Sequence, residues 1–530
     1  MDQPAEDTGR IARSASKVSI AVMCSRLLGL VREQAFAVLF GAGFAFDAFV
    51  VAFRIPNLLR DLFGEGALSA AFVTVFSDYD ETRGAEQTWR LAGNVLVFIT
   101  IVLSMITLIG ILFADEIVLA LVDADFERIP GKVALTRVLT MIMFPFLIFI
   151  SLASVVMGIL NTKGRFFIPA LASSFFNLGS IIGGVTLAFL LKENGQPSII
   201  GMAIGTLIGG ILQLGGQLPS LARIDFKFIP HLNLKDPGLH RILKLMAPAV
   251  FGLAALQINI FINTYFASSL QEGSLSWLNY AFRFFQFPVG VFGVAISVAA
   301  LPLLSRQAAT KDLDRLKETF ASSLTMSFSL TIPATLGLIL LADPVIRIIF
   351  EHGSFSAEDT YKTAAALRFY ALGLFAYASV KVMVPVFYAL DDTRYPVAGS
   401  FLAVGVNIII ILLTIAPMQH KALALSISGA MTANFLFLGI ILYRKLGGYS
   451  LSYLAAGLGK VVSASILMGV YILGGIAILA NWMQRGFLNE LTSVFFFILS
   501  GAAVYGFVLY LLRFKEFKLV IDTMAGRIKG

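Results

Sequence analysis

Residues 25–60 read SRLLGLVREQAFAVLFGAGFAFDAFVVAFRIPNLLR: two apolar helical runs that carry Arg26, Arg32, Arg54 and Arg60. A guanidinium at the centre of a membrane span costs at least ~2.5–3.5 kcal/mol on insertion scales. A chain tolerates four of them only where they face a protein or water-filled interior and meet counter-charges or an anionic ligand.

The setting is a membrane. Of 530 residues, 58% are hydrophobic and 14% charged, where a soluble chain carries roughly 25% charged residues. Apolar runs of helical length recur from end to end, too long for barrel strands, so the fold class is an all-α polytopic membrane protein. Dividing the chain at its polar breaks gives about fourteen transmembrane helices, beginning near residues 17, 45, 91, 138, 167, 197, 243, 275, 319, 363, 396, 422, 455 and 488. The polar N-terminus has no short apolar core with a cleavage site, so no signal peptide is expected. With the N-terminus inside, the inner segments hold 24 Lys and Arg, and the outer ones, Lys132 among them, hold 8. That bias places both termini in the cytoplasm. It also accounts for most of the net charge of +8, which therefore does not point to nucleic acid. Cys24 is the only cysteine, and His231, His240, His352 and His420 fall in predicted loops. No metal site is expected. With no GxxxxGK[ST] motif there is no sign of a nucleotide cofactor.

An internal repeat organises the chain. Ala52-Phe53-Arg54 recurs as Ala281-Phe282-Arg283, and the segment 69–77 aligns with 297–305. The run LNTKGR before Asn177 matches LDDTRY before Asn407. The nearly constant offset implies two parallel six-helix lobes around a central cavity. The N-lobe is 1–222 and the C-lobe 243–446, joined by a cytoplasmic linker, 223–242. Two extra C-terminal helices occupy 447–530.

Six residues separate Arg26 from Arg32, and Arg54 from Arg60, which sets each pair about 120° apart around its helix. The helices must therefore border a wide cavity or bend, and Pro56 supplies a place to bend. The same stretch, extended to residue 65, holds Glu33, Asp47, Asp61 and Glu65. Four acids for four arginines leave two readings open: internal salt bridges, with Asp47, Arg54 and Asp61 sharing a face, or an anion site. Arg283 favours the second, because its span has no carboxylate of its own and guanidinium suits forked recognition of phosphate. Lys381 is a candidate for the cavity wall, Arg368 and Lys460 are expected to snorkel, and Gln257, Asn259, Asn263 and Thr264 to bond between helices.

At these residues the sequence resembles the MurJ (MviN) family of lipid II flippases, within the multidrug/oligosaccharidyl-lipid/polysaccharide exporter superfamily. The carrying segments are SRLLGLVRE (25–33), FGAGFAFDAFVVAFRIPNLLRDLFGEGALSAAFV (40–73), NYAFRFFQFPVGVFGVAISVAALPLLS (279–305) and FYALDDTRYP (387–396). The resemblance implies a fourteen-helix protein of the bacterial inner membrane, a transporter and not an enzyme. It would move the undecaprenyl-diphosphate-linked peptidoglycan precursor lipid II to the outer leaflet. It assigns Arg32, Arg60 and Arg283 to the diphosphate, and matches Arg26 and Asp47 to further positions that the family needs. Arg26 and Arg54 are then expected to brace the helices against Asp47, Asp61 or Glu33. The last two helices are implied to form a groove for the lipid tail. No cofactor is implied. Lipid II and membrane lipids are the implied partners, and proteins of cell-wall synthesis are candidates. Some members carry acids beside the third arginine, where this chain has Phe282 and Gln286, so no role for those acids carries over. Another polyprenyl-diphosphate glycan as cargo, or a membrane scaffold with structural arginines, are the alternatives.

Overall fold

The computed structural model describes residues 3–63 and 66–517, and every long element among them is a helix. Glu65, Lys518, Arg527 and Lys529 lie outside the described residues. The first three helices are α1 (Gln3–Phe40), α2 (Phe44–Phe63) and α3 (Ala67–Thr82). Gly41, at φ +62°, makes the turn between α1 and α2, a conformation that a residue without Cβ takes at no steric cost. Among the described residues, ten helices are long and apolar enough to cross a membrane, or eleven if the pair Ala357–Ala371 and Leu374–Ala389, bent by 44°, is one span. On those grounds the expected count of fourteen is not reached. The helix α2, with Asp47, Arg54, Arg60 and Asp61 in its 20 residues, is not among those helices.

By packing, the chain forms two compact units, Met1–Leu275 and Ser276–Gly530. The division falls later than the linker 223–242. Leu239, Ile242 and Met246, from the first turns of Pro237–Ser268, join the core made by α3, Gly84–Leu112 and Phe146–Thr162. A packing unit and a sequence repeat are thus different divisions of this chain.

In the first unit the tightest seam joins Phe167–Glu193 to Ile199–Ala222. Gly201, Gly205 and Gly209 recur every four residues, and a Cβ on Gly205 would lie 2.4 Å from the Gly184 Cα. Small residues let two helix backbones approach where lipid supplies no hydrophobic drive. The linker lies along Gly84–Leu112. The Phe226 ring stands edge-on to Trp89 at 5.2 Å, and a Cβ on Gly93 would lie 2.2 Å from the Ile229 carbonyl oxygen. Asn94 donates to the Asn233 carbonyl (3.0 Å) and accepts from the Asn233 N–H (2.9 Å).

The second unit repeats the succession of breaks seen in the first. The helix Ser274–Pro288 passes through a π-helical turn, Val289–Gly293, into Val294–Ala309, where α2 breaks before α3. The bent pair around Gly373 corresponds to Lys132–Met143 and Phe146–Thr162 around Pro145. The last two helices, Leu451–Met483 and Phe487–Leu511, dock on Leu313–Leu340. Met468, Ile472 and Phe497 pack with Leu336, Leu340 and Leu341, and the Tyr505 hydroxyl donates to the Ser329 carbonyl at 2.6 Å.

Candidate functional site

The charges of the opening stretch are held in three different ways. Arg32 donates through Nη2 to Glu33 Oε1 at 2.8 Å, and its guanidinium lies 5.2 Å from the centre of the Phe176 ring. These two side chains are 14% and 6% exposed. The helix that carries Phe176 is fastened to α1 next door, where Asn177 donates to the Ser25 carbonyl at 3.1 Å. Arg60 donates through Nε (3.3 Å) and Nη2 (3.0 Å) to Asp61 Oδ1, half-buried at the end of α2. A guanidinium carries five N–H donors, more than one carboxylate oxygen takes up. The Arg60 guanidinium therefore keeps donors beyond those that Asp61 takes up.

Asp47 makes contacts outside the opening stretch. It is buried in the first turn of α2, where Lys132 Nζ stands 3.0 Å from its Oδ2 and the Gly273 N–H donates to the same oxygen at 2.8 Å. Glu272, one residue earlier, accepts from the Phe44 N–H at 3.0 Å and so caps α2. The two contacts are reciprocal: an acid near the start of α2 holds the 272–273 turn, and an acid of that turn holds the start of α2. Negative groups at a helix N-terminus are favoured by its dipole and its unpaired N–H groups.

The partners shown for Asp47, Asp61 and Glu33 are thus Lys132, Arg60 and Arg32. Arg26 is exposed, and Arg54 is half-buried on α2, one residue after Phe53, whose ring meets Phe49 and Phe146. Lys132, which sequence reading counted as a loop cation, is instead buried at the head of a helix. Its Nζ also lies 4.7 Å from the centre of the Phe126 ring. The one signal for it in the sequence is Gly131, whose φ of +80° turns the chain into that helix.

In the second unit Arg283 is exposed on Ser274–Pro288, beside Phe282, which meets Phe285 and Tyr370. Lys381 is also exposed, on the helix that takes a hydrogen bond from Ser297 at the Lys381 carbonyl, 2.8 Å. The other expectations for charges and amides change. Arg368 pairs with Asp343. Asn263 and Thr264 donate to Asn259 and Ile260 carbonyls one turn back in their own helix, not to a neighbouring one. His420 heads a helix and is buried, bonding the Lys362 carbonyl at 3.1 Å. No group of three or more potential metal ligands occurs among the described residues.

Comparison with known proteins places this architecture. The sequence profile of the family described as lipid II flippase MurJ matches residues 36–493. A Vibrio cholerae protein named probable lipid II flippase MurJ is 34% identical over 527 residues, covering 97% of this chain and 98% of its own. A Burkholderia cenocepacia protein named lipid II flippase MurJ is 34% identical, covering 95% and 98%. The solved structure named lipid II flippase MurJ, inward closed conformation, superposes with a TM-score of 0.76 at 28% identity, over 94% of this chain and 98% of that one. An inward-facing multidrug resistance MATE transporter shares the fold, with a TM-score of 0.68 at 14% identity over 80% and 94%. With a bacterial relative matched along almost its whole length and many apolar helices, this is a multi-pass bacterial membrane protein. The chain belongs to the lipid II flippase MurJ family.

Proposed function

We propose that this chain carries lipid II across the bacterial cytoplasmic membrane, from inner to outer leaflet, by alternating access. In this reading α1, α2 and Pro237–Ser268 are spans as well, which brings the eleven apolar ones to fourteen. The repeat lobes are 1–222 and 243–446, both termini are cytoplasmic, and the last two helices hold the polyprenyl tail in a groove. Arg32 and Arg60 from one lobe and Arg283 from the other bind the diphosphate, while Asp47 and Asp61, with Arg26 and Arg54, shape the surrounding charge. No covalent bond changes. An inward-negative potential favours outward movement of the anion by about 2.3 kcal/mol per charge per 100 mV.

Arg283 carries this reading. It is exposed in the stretch Ser274–Ala309, which contains no carboxylate, and a cation in so apolar a stretch needs an anion or water to face. The test replaces Arg283 with Ala and compares membrane abundance with complementation in a strain depleted of its own flippase. Normal abundance with lost complementation and lipid II accumulating inside supports the proposal. Accumulation of a different lipid-linked glycan with normal peptidoglycan overturns the choice of cargo. The pairing of Arg32 with Glu33 and Arg60 with Asp61 favours a second reading, a scaffold with structural arginines. That reading is the one supported if abundance falls together with complementation.

A further inference from the structure

The first unit contains a hollow that includes none of the residues assigned to the diphosphate. It has a volume of about 550 Å³ and lies between Gly84–Leu112, Phe146–Thr162, Ile199–Ala222 and the linker. Volumes of about 300–1,000 Å³ are typical of sites that take a small organic molecule. Val97, Ile101, Leu152, Leu214, Phe226 and Phe228 are among its lining residues. The one lining hydroxyl, Thr100, donates to its own helix at the Leu96 carbonyl, 2.7 Å, so the side chains offer an occupant only hydrocarbon. Ile101 and Phe228 are 43% and 55% exposed, so the hollow opens outward. The linker that covers part of it is fixed by Trp89, Gly93 and Asn94, as described above.

Beside this apolar hollow stand three cations. Arg223 follows the lining residue Ala222, and Lys227 lies between Phe226 and Phe228. Arg90 precedes Val97 by seven residues on the same helical face, about 10 Å along the axis. All three are exposed, and among the described residues none makes a side-chain ion pair or hydrogen bond. Two exposed acids share the same region, Glu86 one turn before Arg90 and Asp225 between Arg223 and Lys227. The surroundings of the hollow are net positive.

An apolar slot with cations beside it matches the two chemical parts of a phospholipid. We propose that the hollow holds an acyl chain of an anionic phospholipid, whose phosphate is met by Arg223, Lys227 and Arg90. The lipid fastens the linker against Gly84–Leu112, and this role is independent of the transported cargo. A zwitterionic lipid fits the slot equally well but gains less from the cations, since each basic group near a membrane surface responds to net negative charge.

The test titrates the full-length protein in detergent with phosphatidylglycerol or with phosphatidylcholine of the same chains, and counts bound lipid by native mass spectrometry. The expected preference for phosphatidylglycerol is about tenfold. The triple variant R90Q/R223Q/K227Q lowers phosphatidylglycerol binding to the phosphatidylcholine level. Ile101→Trp, which narrows the slot, reduces both lipids. Equal binding of the two lipids by the unaltered protein overturns the proposal, as does an undiminished preference in the triple variant. Unchanged lipid numbers in Ile101→Trp at an unchanged melting temperature also count against it. The triple variant changes only exposed side chains, so its result stands even if Ile101→Trp folds poorly.

Discussion

Lys132 Nζ and Asp47 Oδ2 meet at 3.0 Å with each side chain only 2% exposed, joining two helices of the first unit that lie 85 residues apart in sequence. Removing one member of a buried pair leaves the other charge uncompensated, at a cost of about 3–5 kcal/mol. Lys132→Met and Asp47→Asn are each expected to lower the melting temperature of the purified protein substantially. In Lys132→Met/Asp47→Asn neither charge is left behind, so the double variant should lose less than the two single variants added together. A double-mutant cycle by thermal unfolding checks this, and strictly additive losses would show that the two groups act separately.

That pair marks where sequence reading stops. Apolar length depends on local composition, and the long helices were legible from it. Which acid meets which base depends on how helices turn toward one another, and no linear spacing encodes that. The contacts of Asp47 with Lys132, 85 residues away, and with the Gly273 N–H are of this kind. The arginines of 25–60 were legible as a group because charge in an apolar run is rare, but their individual partners were not.

The glycine seam gives a second prediction. A side chain at Gly205 meets the Gly184 backbone, with Cβ 2.4 Å from Cα and 2.5 Å from N, so no rotamer relieves it. Gly205→Leu should push Phe167–Glu193 away from Ile199–Ala222 and loosen the hold of Asn177 on Ser25. Overpacking typically costs 1–3 kcal/mol. Membrane abundance on a blot should fall, whereas Gly474→Leu, where a Cβ meets nothing within 4 Å, should leave it unchanged. Equal abundance of the two variants would show that the seam tolerates separation.

A third prediction concerns pH. Asp392, in the loop before Arg394–Met418, is hydrogen-bonded to Lys445, which holds its carboxyl below the ordinary aspartate range. The group thus stabilises the fold above the unfolded aspartate value, near pH 4, and that contribution is lost as pH falls through the lower folded value. The melting temperature of the unaltered protein should drop below about pH 4 more steeply than that of Asp392→Asn, with the two curves parallel from pH 5 to 7. Parallel curves throughout would show that the contact contributes nothing in solution.

The arginines supply the last prediction, which rests on the proposed diphosphate site. Lysine keeps the charge of arginine but presents a point donor, whereas guanidinium presents a planar fork that matches two phosphate oxygens at once. If Arg32, Arg60 and Arg283 grip a diphosphate, the lysine variants should reach normal abundance yet lose about tenfold or more in transport, since one charge-assisted hydrogen bond contributes ~1.5–3 kcal/mol. Arg60→Lys separates the two roles of that side chain. A lysine there can still pair with Asp61, so a purely structural arginine predicts normal transport as well as normal abundance. Transport of labelled lipid II in proteoliposomes, normalised to protein incorporated, measures the difference. Full activity in all three lysine variants would mean that these positions provide charge alone, and the forked contact would have to be abandoned.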